Sequence, residues 1–446
     1  MRKLGIYVQV PFCQTKCTYC NFHTGVVASS RFAPYVEAVC GEIRGHRELL
    51  RAAGVGCVGG IVGKAHSQEW LCHEAVVDTV YIGGGTPSLL DPVHLQSILD
   101  VIRETFGVER PGGLGRRSAA PLQQYALTRI EAGEQPAAPG GGERSASECG
   151  PYNTELEEVT LEADPETVER EKGEAWVRAG INRVSFGLQS FVDKELVAAG
   201  RMHRRADIYR AVLILREAGI RNISFDLIAG LPHQTKESWR QSLEELAALA
   251  PEHVSVYLLE IDDGSRLGKE LLQGGDKYSA GAVPTEDEMA EFYEMAQESL
   301  GAAGYHHYEI SNWAKPGFES RHNLKYWRRE PYLGFGAGAH SFSGAERWAN
   351  AHDAATYVNA IQSGRLPVEQ QERLTVESAL EEELFLGLRQ LDGIDVARVE
   401  RMYGVALAGR FDPLASAGLV EREGGVVRVA PGKLSVSNEV FVELMR

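Results

Sequence analysis

Gly5-Ile-Tyr-Val-Gln-Val-Pro-Phe-Cys-Gln-Thr-Lys-Cys-Thr-Tyr-Cys-Asn-Phe-His23 joins an apolar, β-branched run to three closely spaced thiols. Ile6 to Val10 reads as a short buried strand, and Pro11 ends it, because proline has no N–H to give to a ladder. Cys13, Cys17 and Cys20 follow on the exit loop with C-x3-C-x2-C spacing. Three thiolates on one tight loop favour a soft metal centre. Iron–sulfur clusters are usually held by four cysteines. With three, one iron of a 4Fe-4S cluster keeps an open position, which separates a ligand-binding centre from a closed structural one. Two other readings remain open at this point: a zinc site closed by His23, and three buried cysteines with no metal.

Working outward, the 446 residues suffice for one large domain and a smaller one, and 43% hydrophobic content allows a sizeable core. A formal charge of −16 argues against a nucleic-acid surface, which wants a basic stripe. The odd count of seven cysteines, with Cys40, Cys57, Cys72 and Cys149 scattered, is not a secreted disulfide framework. No apolar run is long enough to span a bilayer. The first strand begins almost at Met1, which leaves no room for a targeting peptide. These features predict a cytoplasmic protein without an integral membrane span.

Strand–helix alternation fills most of the chain. Arg31 to Ala53 has helical spacing, and residues 54–74 read as a loop in which Cys57, His66, Cys72 and His73 are too irregular for a metal set. Ala75 to Ile82 is a strand, followed by Gly83-Gly-Gly-Thr-Pro-Ser88 and a helix from Pro92 to Phe106. Residues 107–152, rich in Gly, Pro, Ala, Ser and Arg, read as a weakly ordered insertion with at most a helical turn in Leu122 to Ile130. Further strands are predicted near 157–161, 182–186, 222–228 and 253–259, alternating with helices near 166–179, 206–218, 235–249 and 286–303. Such βα units imply a parallel sheet, and crossovers of one hand curl it toward a barrel. The motifs fall just after the strands, where a βα barrel places its chemistry. Residues 304–365 read as an aromatic-, His- and Gly-rich bridge. From 366 to 446 the pattern changes to helices and a hairpin around Gly424-Gly425, a small winged-helix-like domain.

The cluster loop, with Tyr7 and Pro11-Phe12 before it, resembles that of radical S-adenosylmethionine (SAM) proteins. Within them it resembles the branch that holds oxygen-independent coproporphyrinogen oxidases and HemW-type heme chaperones. The resemblance implies an α/β fold, an incomplete (βα)6 barrel over residues 1–303, and a 4Fe-4S cluster whose open iron is chelated by SAM. An electron from such a cluster cleaves the SAM sulfonium in radical chemistry. The oxidases carry one more cysteine two positions after the third, where this chain has Phe22, and a long extension before the loop, where only twelve residues precede Cys13. Both departures favour the chaperone side, a heme-binding module that passes heme to an acceptor apo-hemoprotein, over porphyrinogen decarboxylation.

Several residues then acquire expected roles. Gly84, Gly85 and Thr86 lack dinucleotide-fingerprint spacing. Alone they make a tight turn, and by resemblance they meet the methionine end of SAM. Glu162, Gln189, Arg201 and Asp226 match the other SAM contacts, with Tyr7 and Tyr19 beside them; an apolar strand carrying one Asp is informative by itself, since a buried carboxylate needs partners. The run Arg321-His-Asn-Leu-Lys-Tyr-Trp327 holds an H-N-x-x-Y-W motif. His322 is either a core histidine under aromatics or, as the resemblance implies, a heme contact with Asn323, Tyr326 and Trp327. Lys325, Arg328 and Arg329 are then candidates for the propionates. His340, in Gly334-Phe-Gly-Ala-Gly-Ala-His-Ser-Phe342, is the competing imidazole.

Overall fold

The computed structural model describes residues 2–22, 24–52, 75–108 and 155–444. His23, nearly all of both expected insertions and Cys57, Cys72 and Cys149 lie outside the described residues. So does the zinc reading that depends on His23.

Six strands run parallel and pair in sequence order: β1 (Arg2–Val10), β2 (Ala75–Gly84), β3 (Glu158–Ala163), β4 (Arg183–Gln189), β5 (Asn222–Ala229) and β6 (His253–Leu258). This is the expected set of βα units. Their period-two pattern separates two surfaces. Ile6, Val8, Ile82, Leu161, Phe186, Phe225 and Val254 are buried in the main apolar core. That core also takes the helices between strands, such as Pro92–Phe106 with Leu95, Ile98 and Ile102. The alternate positions carry Thr79, Tyr81, Thr160, Glu162, Arg183, Ser185, Ser224, Asp226, His253 and Ser255. The curled sheet therefore has an apolar outside under helices and a polar inside.

The stretch expected to be a bridge is part of the sheet. β7 (His306–Glu309) and β8 (Asn312–Ala314) extend it beyond β6. β9 (Tyr332–Phe335) pairs parallel to β1, and β10 (His340–Phe342), β11 (Glu346–Asn350) and β12 (Val368–Arg373) continue antiparallel, making twelve strands in one sheet among the described residues. Strands of three to six residues rich in His, Gly and aromatics are too short to show a period, which is why the sequence concealed them. β12 falls within the 366–446 stretch read as the C-terminal domain; beyond it come helix Val376–Arg389 and a small antiparallel sheet of β13 (Ile394–Asp395), β14 (Val420–Glu423) and β15 (Val426–Val429) in the order β13-β15-β14. Gly424 and Gly425, at φ +59° and +87°, make the tight hairpin turn.

A buried carboxylate ties the helix after the cluster loop to the added strands. Glu42, in the helix Phe32–Ala52, accepts hydrogen bonds from the Gly336 amide at 2.9 Å, from Asn350 Nδ2 at 2.7 Å and from the Tyr357 hydroxyl. Burial outweighs these donors and pushes its pKa up to about 7. The protonated form is thus favoured in the fold, so this stability contribution is full at acid pH and is lost as pH rises through 7. Thermal melts at pH 5, 6.5 and 8 are expected to show wild type losing stability relative to Glu42→Gln at no more than about 1.4 kcal/mol per pH unit. Parallel pH curves for the two proteins would contradict this.

Candidate cofactor site at the barrel mouth

The cluster loop leaves β1 and is pinned at both ends. The Gly25 amide donates to Pro11 O (2.9 Å) and the Cys13 amide to Gly25 O (3.0 Å). Farther along, the Thr18 amide donates to Ala199 O at 3.0 Å, and Leu267 donates to Thr18 O at 2.9 Å. Cys13, Cys17 and Cys20 are each partly exposed and all line one cavity of about 800 Å³ at the C-terminal ends of the parallel strands. Burial pushes the Cys13 and Cys20 thiols up. Among the described residues no three His, Cys, Asp or Glu side chains are already drawn together around a point. A metal centre deprotonates its cysteines as it binds. The donor set fits a cluster: three thiols of one loop facing one cavity, with Arg201 Nη1 3.4 Å from Cys17 Sγ.

The glycine turn is knitted to this loop. The Gly85 amide donates to Val10 O at 2.8 Å and the Thr86 amide to Phe12 O at 2.7 Å. Gly84 sits at φ +109°, and its amide donates to Glu162 Oε2 at 2.9 Å. A Cβ on Gly85 would lie 2.4 Å from Phe12 O, a backbone atom that cannot turn aside. The glycines therefore serve a close approach of two backbones. With their amides committed, what they offer a ligand is a surface without side chains.

Glu162, Gln189, Arg201, Asp226 and Tyr19 line the same cavity as the three cysteines and the glycine turn. Tyr7 lies just outside it, its hydroxyl donating to Gln9 Oε1 at 2.6 Å, in a neighbouring recess that shares Gly84 and Glu162. Glu162 accepts from Tyr81 at 2.9 Å as well as from Gly84, yet burial holds its pKa up at about 7; burial likewise raises Asp226 to about 6 against Ser255, Arg183 and Ser185. Gln189 adopts φ +68° where the β4–β5 register slips between Gly187 and Gln189. Bulges and left-handed non-glycine residues cluster at functional sites. Arg201 bonds Asp164 and donates to Gly187 O at 2.7 Å.

Sequence reasoning missed Asp164, which accepts from Thr86 Oγ1 at 3.0 Å and pairs with Arg201. Its signal was its place two residues after Glu162 at the end of a strand. It also missed Leu434, Ser435, Ser437 and Asn438, which reach the same cavity from the C-terminal domain and carry no local motif.

The H-N-x-x-Y-W motif lies inside the barrel, away from this loop. His322 is 0% exposed, on the helix Arg321–Trp327. Its Nδ1 is 3.0 Å from Thr79 Oγ1 and its Nε2 2.9 Å from the Tyr326 hydroxyl, so both ring nitrogens are engaged. Burial and the Lys325 charge push it down to about 3, so the imidazole is neutral. Trp327 packs edge-on to Tyr308, and Asn323 N takes the Ser320 helix cap. Lys325 is buried on Asp78 at 2.8 Å, Arg329 pairs with Glu382 and Glu383, and Arg328 Nε donates to Gln390.

Residues 67–246 match the family model for the radical SAM superfamily, and residues 374–431 that for the HemN C-terminal domain. A heme chaperone HemW of Bacillus subtilis is 32% identical over 98% of this chain and 97% of its own length. The chain belongs to the HemW family. HemW of Escherichia coli is 31% identical over 76% of this chain and 69% of its own. The solved coproporphyrinogen III oxidase HemN of Escherichia coli, 20% identical, superposes with a TM-score of 0.73 over 99% of this chain and 90% of its own, which establishes the shared fold. Membership of the radical SAM superfamily implies a 4Fe-4S cluster and SAM, and the family's cluster loop here faces a cavity able to hold both.

Gly85→Ala is expected to push the glycine turn off the HemW-type loop, destabilising the fold by about 1–3 kcal/mol and lowering iron and sulfide incorporation. Chemical iron analysis after anaerobic reconstitution, alongside a melt, checks this. Full incorporation in Gly85→Ala would show that the two backbones need not touch.

Proposed function

We propose that this protein is a heme chaperone: it binds heme at the barrel mouth and passes it to an acceptor apo-hemoprotein. In this reading Cys13, Cys17 and Cys20 hold a 4Fe-4S cluster, and SAM occupies its open iron. The observation that carries it is the match to a HemW chaperone over nearly the whole of both chains. Phe22, standing where the oxidases have a further cysteine, supports it. When bound, the cluster supplies an iron position that chelates SAM and a reductant for it.

The chain's own residues prepare that cavity for a cationic ligand. Glu162, Asp164, Glu166, Asp226, Glu260 and Asp262 outnumber the cations that line the same cavity, Lys16, Arg201 and Arg389, and Arg201 is committed to Asp164 and Arg389 to Glu309. Glu162 and Asp226 are kept partly protonated by burial, so a sulfonium or ammonium beside them replaces a proton. Arg201 anchors Cys17 to Asp164 and the Gly187 carbonyl, which fixes the loop against β4. Gly84, Gly85 and Thr86 leave room for the ligand, with Tyr19 and Gln189 bounding it and Tyr7 in the adjoining recess. His322, Asn323, Tyr326 and Trp327 act through the packing beneath the mouth: for His322 to meet an iron directly, its bonds to Thr79 and Tyr326 must open. No helix among the described residues is long and apolar enough to cross a membrane, and an oxygen-labile cluster suits the reducing cytoplasm.

Anaerobically reconstituted protein is expected to take up hemin and to leave coproporphyrinogen III unchanged. Protoporphyrinogen formation in the same vessel would overturn the chaperone reading in favour of decarboxylation. Cys17→Ala is expected to abolish SAM-dependent cluster spectra.

The pH dependence tests Glu162. Its carboxyl is neutral below about 7, so SAM binding must expel a proton there and weakens as pH falls, by up to about tenfold per unit. Equilibrium binding of SAM between pH 8 and 6 is expected to be steeper for wild type than for Glu162→Gln. Identical slopes would remove Glu162 from the contact.

A further inference from the structure

The loop Gly200-Arg-Met-His203 lies across the end of β4 and makes two parallel rungs. Arg201 bonds Asp164 on one side and donates to Gly187 O at 2.7 Å on the other. His203 repeats this with the next partners: its Nε2 is 3.1 Å from Leu188 O, and its Nδ1 is 3.6 Å from Glu166 Oε2. Alternate residues of the loop thus join consecutive carbonyls of β4 to alternate residues of the turn after β3. Arg204 stiffens the loop, its Nη1 donating to the carbonyls of Arg201 (2.8 Å), Met202 (3.2 Å) and His203 (2.7 Å). The first rung belongs to the site already described, and the second has no role there.

What the second rung holds is strained. The Ser190 amide donates back to Leu188 O at 2.8 Å, closing a three-residue turn around Gln189 at φ +68°. A turn of this hand is rare and costly for a residue that carries a side chain. Leu188 O is its acceptor, and the His203 ring supplies that oxygen's other bond. The Gln189 side chain folds back over Gly187, where a Cβ would lie 2.9 Å from Gln189 Nε2 and 3.4 Å from Arg201 Nη2. Both rungs therefore seat Gln189 on the cavity wall.

Bonding rules specify the state of the ring. A carbonyl only accepts, so Nε2 of His203 carries a proton. Nδ1 and Glu166 Oε2 are then two acceptors facing each other, both buried, and neither has a hydrogen-bond partner among the described residues. His203 is 0% exposed, so bulk water does not serve it. One proton between the two atoms satisfies both.

We propose that His203 is a positioning residue for ligand binding: held on Glu166 through a shared proton, it supports the strained turn at Leu188 and so presents Gln189 to SAM. This rests on the reading of the main cavity as a SAM site and adds a residue to it.

The test is equilibrium binding of SAM to full-length, cluster-loaded protein under anaerobic conditions, with iron content measured on every variant. His203→Phe keeps an aromatic ring in the space and removes both bonds; it is expected to bind SAM about tenfold more weakly at unchanged iron content. Gln189→Ala is also expected to bind more weakly, and the two changes together no more weakly than Gln189→Ala alone, because His203 acts through Gln189. Losses that add, as a merely structural role predicts, would overturn the assignment, and so would wild-type affinity in His203→Phe. Glu166→Gln is expected to bind within about twofold of wild type, since its amide donates the proton that Nδ1 needs. A loss there as large as that of His203→Phe would make the Glu166 charge the determinant and would equally overturn it. Should His203→Phe fail to load a cluster, Glu166→Leu, which removes the shared proton from the other side, takes its place in the cycle with the same expectations. Failure of wild type itself to bind SAM would overturn the SAM reading of the cavity, whereas the outcomes above leave that reading standing.

Discussion

A parallel sheet that curls with its polar residues inward must satisfy those residues without water, and most of this structure follows from that constraint. Buried polar groups are costly unless hydrogen-bonded. Arg183 donates to Asn222 and to Phe318 O, His253 bridges Ser224 and Tyr308, Ser255 donates to Asn312, and Thr79 meets His322. Many of the partners come from residues 305–326, which thread under the barrel.

The open end collects polar and ionisable groups. Three thiols, two carboxylates raised by burial and a glycine turn stripped of side chains face one space. Burying the two carboxylates is costly for a folded chain, although both are hydrogen-bonded. The left-handed Gln189 and the slipped register beside it belong to the same group. Stability is provided by the apolar outer face of the sheet, under its helices, and the mouth draws on it.

Two histidine environments in one chain show how the same side chain divides its labour. His322 has its two ring nitrogens engaged and no exposure, so it behaves as a neutral structural bridge between β2 and the helix that carries Tyr326. His340 sits on a three-residue strand at the mouth, exposed, and oriented by glycines that hold the turn against β1. The aromatic residues of the H-N-x-x-Y-W motif pack on one another and on the barrel interior.

Much was legible in the sequence because it is carried by local pattern. The C-x3-C-x2-C loop after an apolar strand, the Gly83–Gly85 run, the alternation of strands and helices and the Gly424-Gly425 hairpin are short-range features with short-range causes. The tertiary structure alone decided which of these meet. It placed Arg201 between Cys17 and Asp164, residues separated by more than a hundred positions, and it drew Asn438 of the C-terminal domain to the same cavity as Cys13. It also buried His322 and left His340 exposed, because burial depends on the packing of distant strands and helices, and no run of neighbouring residues encodes that.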